Sequence, residues 1–150
     1  MRFNFWVVVM VLTVIFTAGY FLLNPSYERS LEAKVYYVMG EYHQAHRLAS
    51  EAFELNPYNR MASTIMTQSQ TAMKFVDYIE EAKLYMGKIT DIAKGDGVSD
   101  AQRARIRLMC EIMIESFEKI SATVVTDKEL VQEATNYRDK FKKLHDEITQ

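Results

Sequence analysis

From Phe3 to Leu23 the chain reads FNFWVVVMVLTVIFTAGYFLL, without a single charged side chain. Twenty-one such residues make roughly 30 Å of helix, the thickness of a bilayer's hydrocarbon core. Thr13 and Thr17 can return their hydroxyls to the helix's own carbonyls, and Asn4 lies at the edge of the run, so no polar group is stranded in lipid. Trp6 and Tyr20, near the two ends, have the character of interfacial anchors. The expectation is a transmembrane signal-anchor over residues 1–24, with the bilayer contacted through residues 3–23.

A cleaved secretory signal is the competing reading. Arg2 would be its charged start and Thr17-Ala18-Gly19 its cleavage site, but the apolar run continues past that site through Tyr20-Phe21-Leu22-Leu23. Arg2 on one side is nearly balanced by Arg29 and Lys34 on the other, so the positive-inside rule gives little direction. The very short amino-terminal tail points to a bacterial inner membrane with the remaining domain in the periplasm. The lone cysteine, Cys110, excludes an internal disulfide framework.

The charge balance of 18 basic and 20 acidic residues is close to neutral and well mixed, which excludes the basic stripe that nucleic acid requires. The clusters Arg103, Arg105, Arg107 and Lys140, Lys142, Lys143 scatter around a helix axis rather than forming a face. After the anchor, the pattern is all-α. Asn24-Pro25-Ser26, Met39-Gly40-Glu41, Asn56-Pro57-Tyr58-Asn59 and Gly95-Asp96-Gly97 punctuate the chain. Ser99 with Gln102, and Thr126 with Glu129, read as capping boxes. These signals predict helices over 27–39, 42–55, 59–94, 100–122 and 127–148.

The long helix carries a heptad seam of Met61, Ile65, Gln68, Ala72, Phe75, Ile79, Ala82, Met86, Ile89 and Ala93. The last helix has a matching seam of Leu130, Ala134, Tyr137, Phe141, Leu144 and Ile148. Between them, Ala101, Ala104, Leu108, Ile112, Phe117 and Ile120, broadened by Met109 and Met113, form the expected inner face of helix 100–122. Short connections make such helices antiparallel neighbours, so residues 59–150 read as a three-helix antiparallel bundle with one long helix. A homodimeric coiled coil through 61–93 is the competing use of that seam.

Residues 25–58 carry a more specific pattern. Tyr36, Gly40, Tyr42, Ala45, Ala52 and Pro57 stand at the spacings of the Y-x3-G-x-Y-x2-A…A-x4-P portion of a tetratricopeptide repeat, and the segment resembles one such repeat. Gly40 supplies the tight turn and Pro57 stops the second helix. Ala45 and Ala52, seven apart, let the partner helix approach, and Tyr36 and Tyr42 fill the wedge at the turn. Ala33 and Ala49 depart from the pattern, standing where it more often has a glycine and a large apolar residue. A single repeat cannot bury its apolar face alone and must pack on following helices or on a partner. The resemblance implies a helical hairpin whose first helix lines a ligand-facing groove, here with Tyr27, Ser30, Lys34, Tyr37 and Val38 as candidate partner-binding residues.

No catalytic constellation emerges. His43 and His46 lie three apart, but nothing nearby completes a metal site, and both positions face outward in the repeat pattern. Cys110 sits among Leu108, Met109 and Ile112 with no histidine near in sequence. No phosphate loop, G-x-S-x-G or haem motif occurs. No cofactor and no enzymatic activity are expected. The sequence reads as a membrane-anchored interaction adaptor or scaffold subunit of an envelope assembly, its partners being other membrane or envelope proteins. A single-pass sensor is the alternative.

Overall fold

The computed structural model describes residues 5–95 and 97–149, with backbone alone at 21–23. Six helices account for it, with no strand among the described residues: α1 (Phe5–Leu23), α2 (Pro25–Val38), α3 (Tyr42–Leu55), α4 (Arg60–Ala93), α5 (Asp100–Glu118) and α6 (Lys128–Thr149). The all-α class follows the sequence pattern. The chain divides into two compact units, 1–70 and 71–150, and the division falls inside α4.

In α1, every described side chain from Phe5 to Tyr20 is exposed except at Gly19, which is half-buried. Thr13 Oγ1 donates to Val9 O at 2.8 Å and Thr17 Oγ1 to Thr13 O at 2.7 Å, so these hydroxyls are satisfied within the helix. Over the described residues no single helix is long and apolar enough to cross a membrane. Phe5–Tyr20 meets that measure only together with Pro25–Val38, and the two are bent by 71°. Arg2, Phe3, Asn4 and the side chains of Phe21, Leu22 and Leu23 lie outside the described residues.

The bend is made at one residue. A residue before proline is pushed into extended backbone, and Asn24 has φ −88° and ψ 113°. Its Oδ1 accepts from Ser26 N at 3.0 Å, while Pro25, whose missing N–H costs nothing in a first turn, opens α2. The asparagine and proline thus stop one helix and start the next, which places the start of α2 two residues before the expected Tyr27. The α2 carboxyl end closes with Gly40 at φ +82°, Gly40 N donating to Tyr37 O and Glu41 N to Tyr36 O. This paired bonding around a left-handed glycine is a Schellman motif.

Ala33, Ala45, Ala49 and Ala52 are all fully buried, so α2 and α3 meet through a layer of small side chains. Leu48 and Ile65 complete that core, with Tyr36, Tyr37, Met61 and Met66 packed around it. The first turns of α4 therefore belong with the hairpin.

In the second unit, Phe75, Tyr78, Ile79, Ala82 and Ile89 of α4 form one core with Ile106, Met109, Cys110 and Met113 of α5 and Ala134 and Phe141 of α6. The registers fix the directions. Tyr78 stacks edge-on against Phe117, whereas Ile89 shares a cavity with Ile106, so α5 runs antiparallel to α4. His145 reaches Glu111 and Arg138 covers Phe117, so α6 is antiparallel to α5. The heptad seam of α4 is therefore packed against the chain's own helices from Phe75 to Ile89. The expected seam of α6 is buried or half-buried at all six positions.

Three expectations are corrected. The inner face of α5 is Ile106, Met109, Cys110, Met113 and Phe117, while Ala101, Ala104, Leu108 and Ile112 face outward. Apolar residues occupy two sides of this helix, and one of them packs into the core shared with α4 and α6. The helix also ends at Glu118 rather than at 122, with Lys119 as its carboxyl cap, its N–H turned to Phe117 O. Ser99 and Gln102 form the full capping box. Thr126 does not cap α6. Its Oγ1 accepts from Thr123 N at 2.9 Å inside the loop, and Asp127 Oδ1 takes the Glu129 N–H instead, also at 2.9 Å.

Candidate binding groove

The floor of the first unit is built around Asn59. Its Oδ1 accepts from Met61 N and Ala62 N, capping α4. Its Nδ2 points back to α2 and donates to Ser26 O, Ser26 Oγ and Ser30 Oγ at 2.9–3.1 Å. Ser26 Oγ in turn donates to Ala52 O at 2.7 Å, at the end of α3. One buried amide thus ties three helices, and all three side chains are within 1 % of complete burial. Sequence reading took Asn59 only as a turn residue; its position directly before a long apolar-periodic helix was the available signal for a cap.

This cluster corrects the placement of Ser30. Expected on the groove surface, it is fully buried on the side of α2 that faces Asn59 and is unavailable to a partner. His46 is corrected too. It is half-buried, with Nδ1 3.0 Å from Met66 O. A carbonyl oxygen only accepts, so Nδ1 carries the proton and His46 pins α3 to α4. Ser69 lies 3.4 Å from the same nitrogen and donates its hydroxyl to Ile65 O and Met66 O. His43 stays exposed. Among the described residues no three His, Cys, Asp or Glu side chains converge on a possible metal position.

Above this floor, a cavity of about 390 Å³ opens between the last turns of α2 and the start of α4. Lys34, Tyr37 and Val38 line one wall, and Arg60, Met61, Thr64, Ile65 and Gln68 the other. Three of the five residues expected in a groove therefore come together; Tyr27, half-buried nearer the start of α2, does not line it. Tyr37 is held by an edge-to-face contact with Tyr42, ring centroids 5.4 Å apart, so the turn wedge joins Tyr42 to Tyr37, with Tyr36 packed on the alanine core. Lys34 and Arg60 are exposed, and neither has a carboxylate partner among the described residues. The groove is thus a largely apolar trough with two cations at its rim.

A second cavity, of about 380 Å³, lies in the other unit, lined by Ile89, Ala93, Val98, Ile106, Leu144 and Ile148, with Arg103 and Glu147.

Fold and groove define the class: an all-helical protein joining a helical hairpin to a three-helix bundle. Comparison with protein-family models, curated proteins and solved structures finds no match to this chain.

Proposed function

We propose that the protein is a membrane-anchored adaptor that recruits or braces other membrane or envelope proteins, as an accessory or scaffold subunit of a bacterial envelope assembly. The observation that carries this reading is the groove of Lys34, Tyr37, Val38, Arg60, Met61 and Ile65. Its apolar walls suit one or two buried side chains of a partner segment, and its two rim cations favour an acidic one. Supporting the anchor is α1, apolar and exposed around its circumference, for which lipid is the natural solvent. The tetratricopeptide-like spacing of residues 36–57 supports a scaffold role. The soluble part is proposed to lie on the periplasmic side of the inner membrane.

The test is extraction of the full chain in mild detergent, capture through a carboxyl-terminal tag, and quantitative mass spectrometry. A defined set of membrane proteins at fixed stoichiometry is expected. Lys34→Glu and Arg60→Glu each weaken capture about tenfold, ~1.4 kcal/mol. A lone homodimer, or capture indifferent to both reversals, would sink the adaptor. The second cavity favours one alternative, a sensor whose apolar ligand enters between Ile89, Ile106 and Leu144. That reading requires a ligand that raises the unfolding temperature of the purified protein.

A further inference from the structure

Helix α2 buries one side, of small residues, and shows aliphatic ones on the opposite side. Ser26, Ser30 and Ala33 mark the buried side. On the far side Leu31, Val35 and Val38, spaced four and three apart, are 56 %, 53 % and 77 % exposed. A helix on the surface of a globular unit ordinarily hides one apolar stripe and shows a polar one. Here the outward stripe is aliphatic, and Met39, 71 % exposed, extends it.

The geometry of the joint says what covers that stripe. α2 leaves α1 at 71°, so with α1 along the membrane normal α2 lies about 19° (90° − 71°) from the membrane plane. The turn is made by Asn24 alone. Carrying ideal helix geometry through its φ and ψ brings the Leu31–Val35–Val38 side of α2 round to the side from which α1 arrives. The same operation turns Ser26, Ser30 and Ala33 away, toward α3 and α4. Lys34 borders the stripe, with a stem long enough to lie along apolar surface while its ammonium reaches phosphate.

We infer that α2 is an interfacial helix, seating Leu31 and Val35 at the boundary between lipid headgroups and acyl chains, with Val38 at the edge where the groove begins. The inference rests on α1 being a membrane anchor, and its occupant is the lipid surface. It assigns the two faces of α2 different surroundings, protein on the small-residue side and lipid on the aliphatic one.

Trp6 is the only tryptophan, which makes the test direct. The full chain is reconstituted in phosphatidylcholine liposomes whose acyl chains carry bromine at a shallow or a deep position. Quenching of Trp6 in the unaltered protein reports the anchor. In a Trp6→Phe background, Leu31→Trp and Val35→Trp are then measured separately, with far-UV circular dichroism to show that each is folded. The expected result is loss of indole emission in both variants, greater with shallow than with deep bromine, and a shift to shorter wavelength on reconstitution. Quenched Trp6 with unquenched, unshifted indoles at both α2 positions overturns the interfacial helix and leaves the anchor standing. An unquenched Trp6 removes the anchor, and this inference with it.

Discussion

Tyr78 shows what a single atom does in this core. The residue is 3 % exposed, its ring is engaged by Phe117, and its hydroxyl is buried without a hydrogen-bond partner. A buried polar group in that state costs free energy that its apolar isostere does not. Tyr78→Phe is therefore expected to stabilise the protein by about 1 kcal/mol in urea unfolding. Burial also pushes the Tyr78 hydroxyl up to about 12 from the ordinary 10.0, with Arg138 pulling the other way. A raised folded pKa means that stability is intact below pH 10 and is lost as pH climbs from there toward 12. The variant should lack that part of the alkaline loss. A net destabilisation on removing the hydroxyl would show that it has a partner after all.

At the scale of elements, legibility tracked how one-sided each helix is. Only one side of α6 is apolar, and its seam could be read residue by residue. On α5 two sides compete, and nothing local tells Ile106, Met109 and Met113 from Ala104, Leu108 and Ile112; only the shape of the space between α4 and α6 chooses. The turn signals were legible because their physics is local: Gly40 must be left-handed, and a residue before proline must be extended. The candidate groove was legible in part. Lys34, Tyr37 and Val38 follow from the hairpin pattern, but the opposite wall from Arg60 to Gln68 depends on how α4 docks. The tie that docks it, Asn59 on Ser26 and Ser30, joins residues 29 and 33 apart in sequence and leaves no periodic trace. Asn59→Ala is expected to cost about 2–3 kcal/mol through the lost cap and lost buried bonds. At an ordinary exposed cap, aspartate serves as well as asparagine. Here Asn59→Asp keeps the acceptor but turns an oxygen toward Ser26 O, so it should cost at least as much as alanine. Wild-type stability in the aspartate variant would show that the amide donor contributes nothing.

At the scale of the whole molecule, the two compact units share α4, which passes through their division without a break at Gln70–Thr71. An unbroken hydrogen-bond ladder is a cooperative element, so damage in one unit should be felt in the other. Cys110 is the natural reporter. It is fully buried in the second unit, and burial pushes its thiol up to about 11 from 9.0. In native buffer near pH 8 it should react with a thiol reagent only as fast as the bundle opens. Asn59→Ala, in the first unit, should raise that rate. An unchanged rate would mean that the units open independently.

Asn24 has one more consequence. Adaptors are often tethered through flexible linkers, whose statistics set how far and how often the binding surface meets its target. Here there is no slack to average over: one hydrogen-bonded residue separates α1 from α2. In the anchored protein we propose, the groove would sit at a fixed height above the bilayer and search in two dimensions by lateral diffusion alone. Selection would then act on depth as much as on sequence. A partner with the right residues at the wrong elevation is never met, and one whose acidic segment emerges at the headgroups is met continuously.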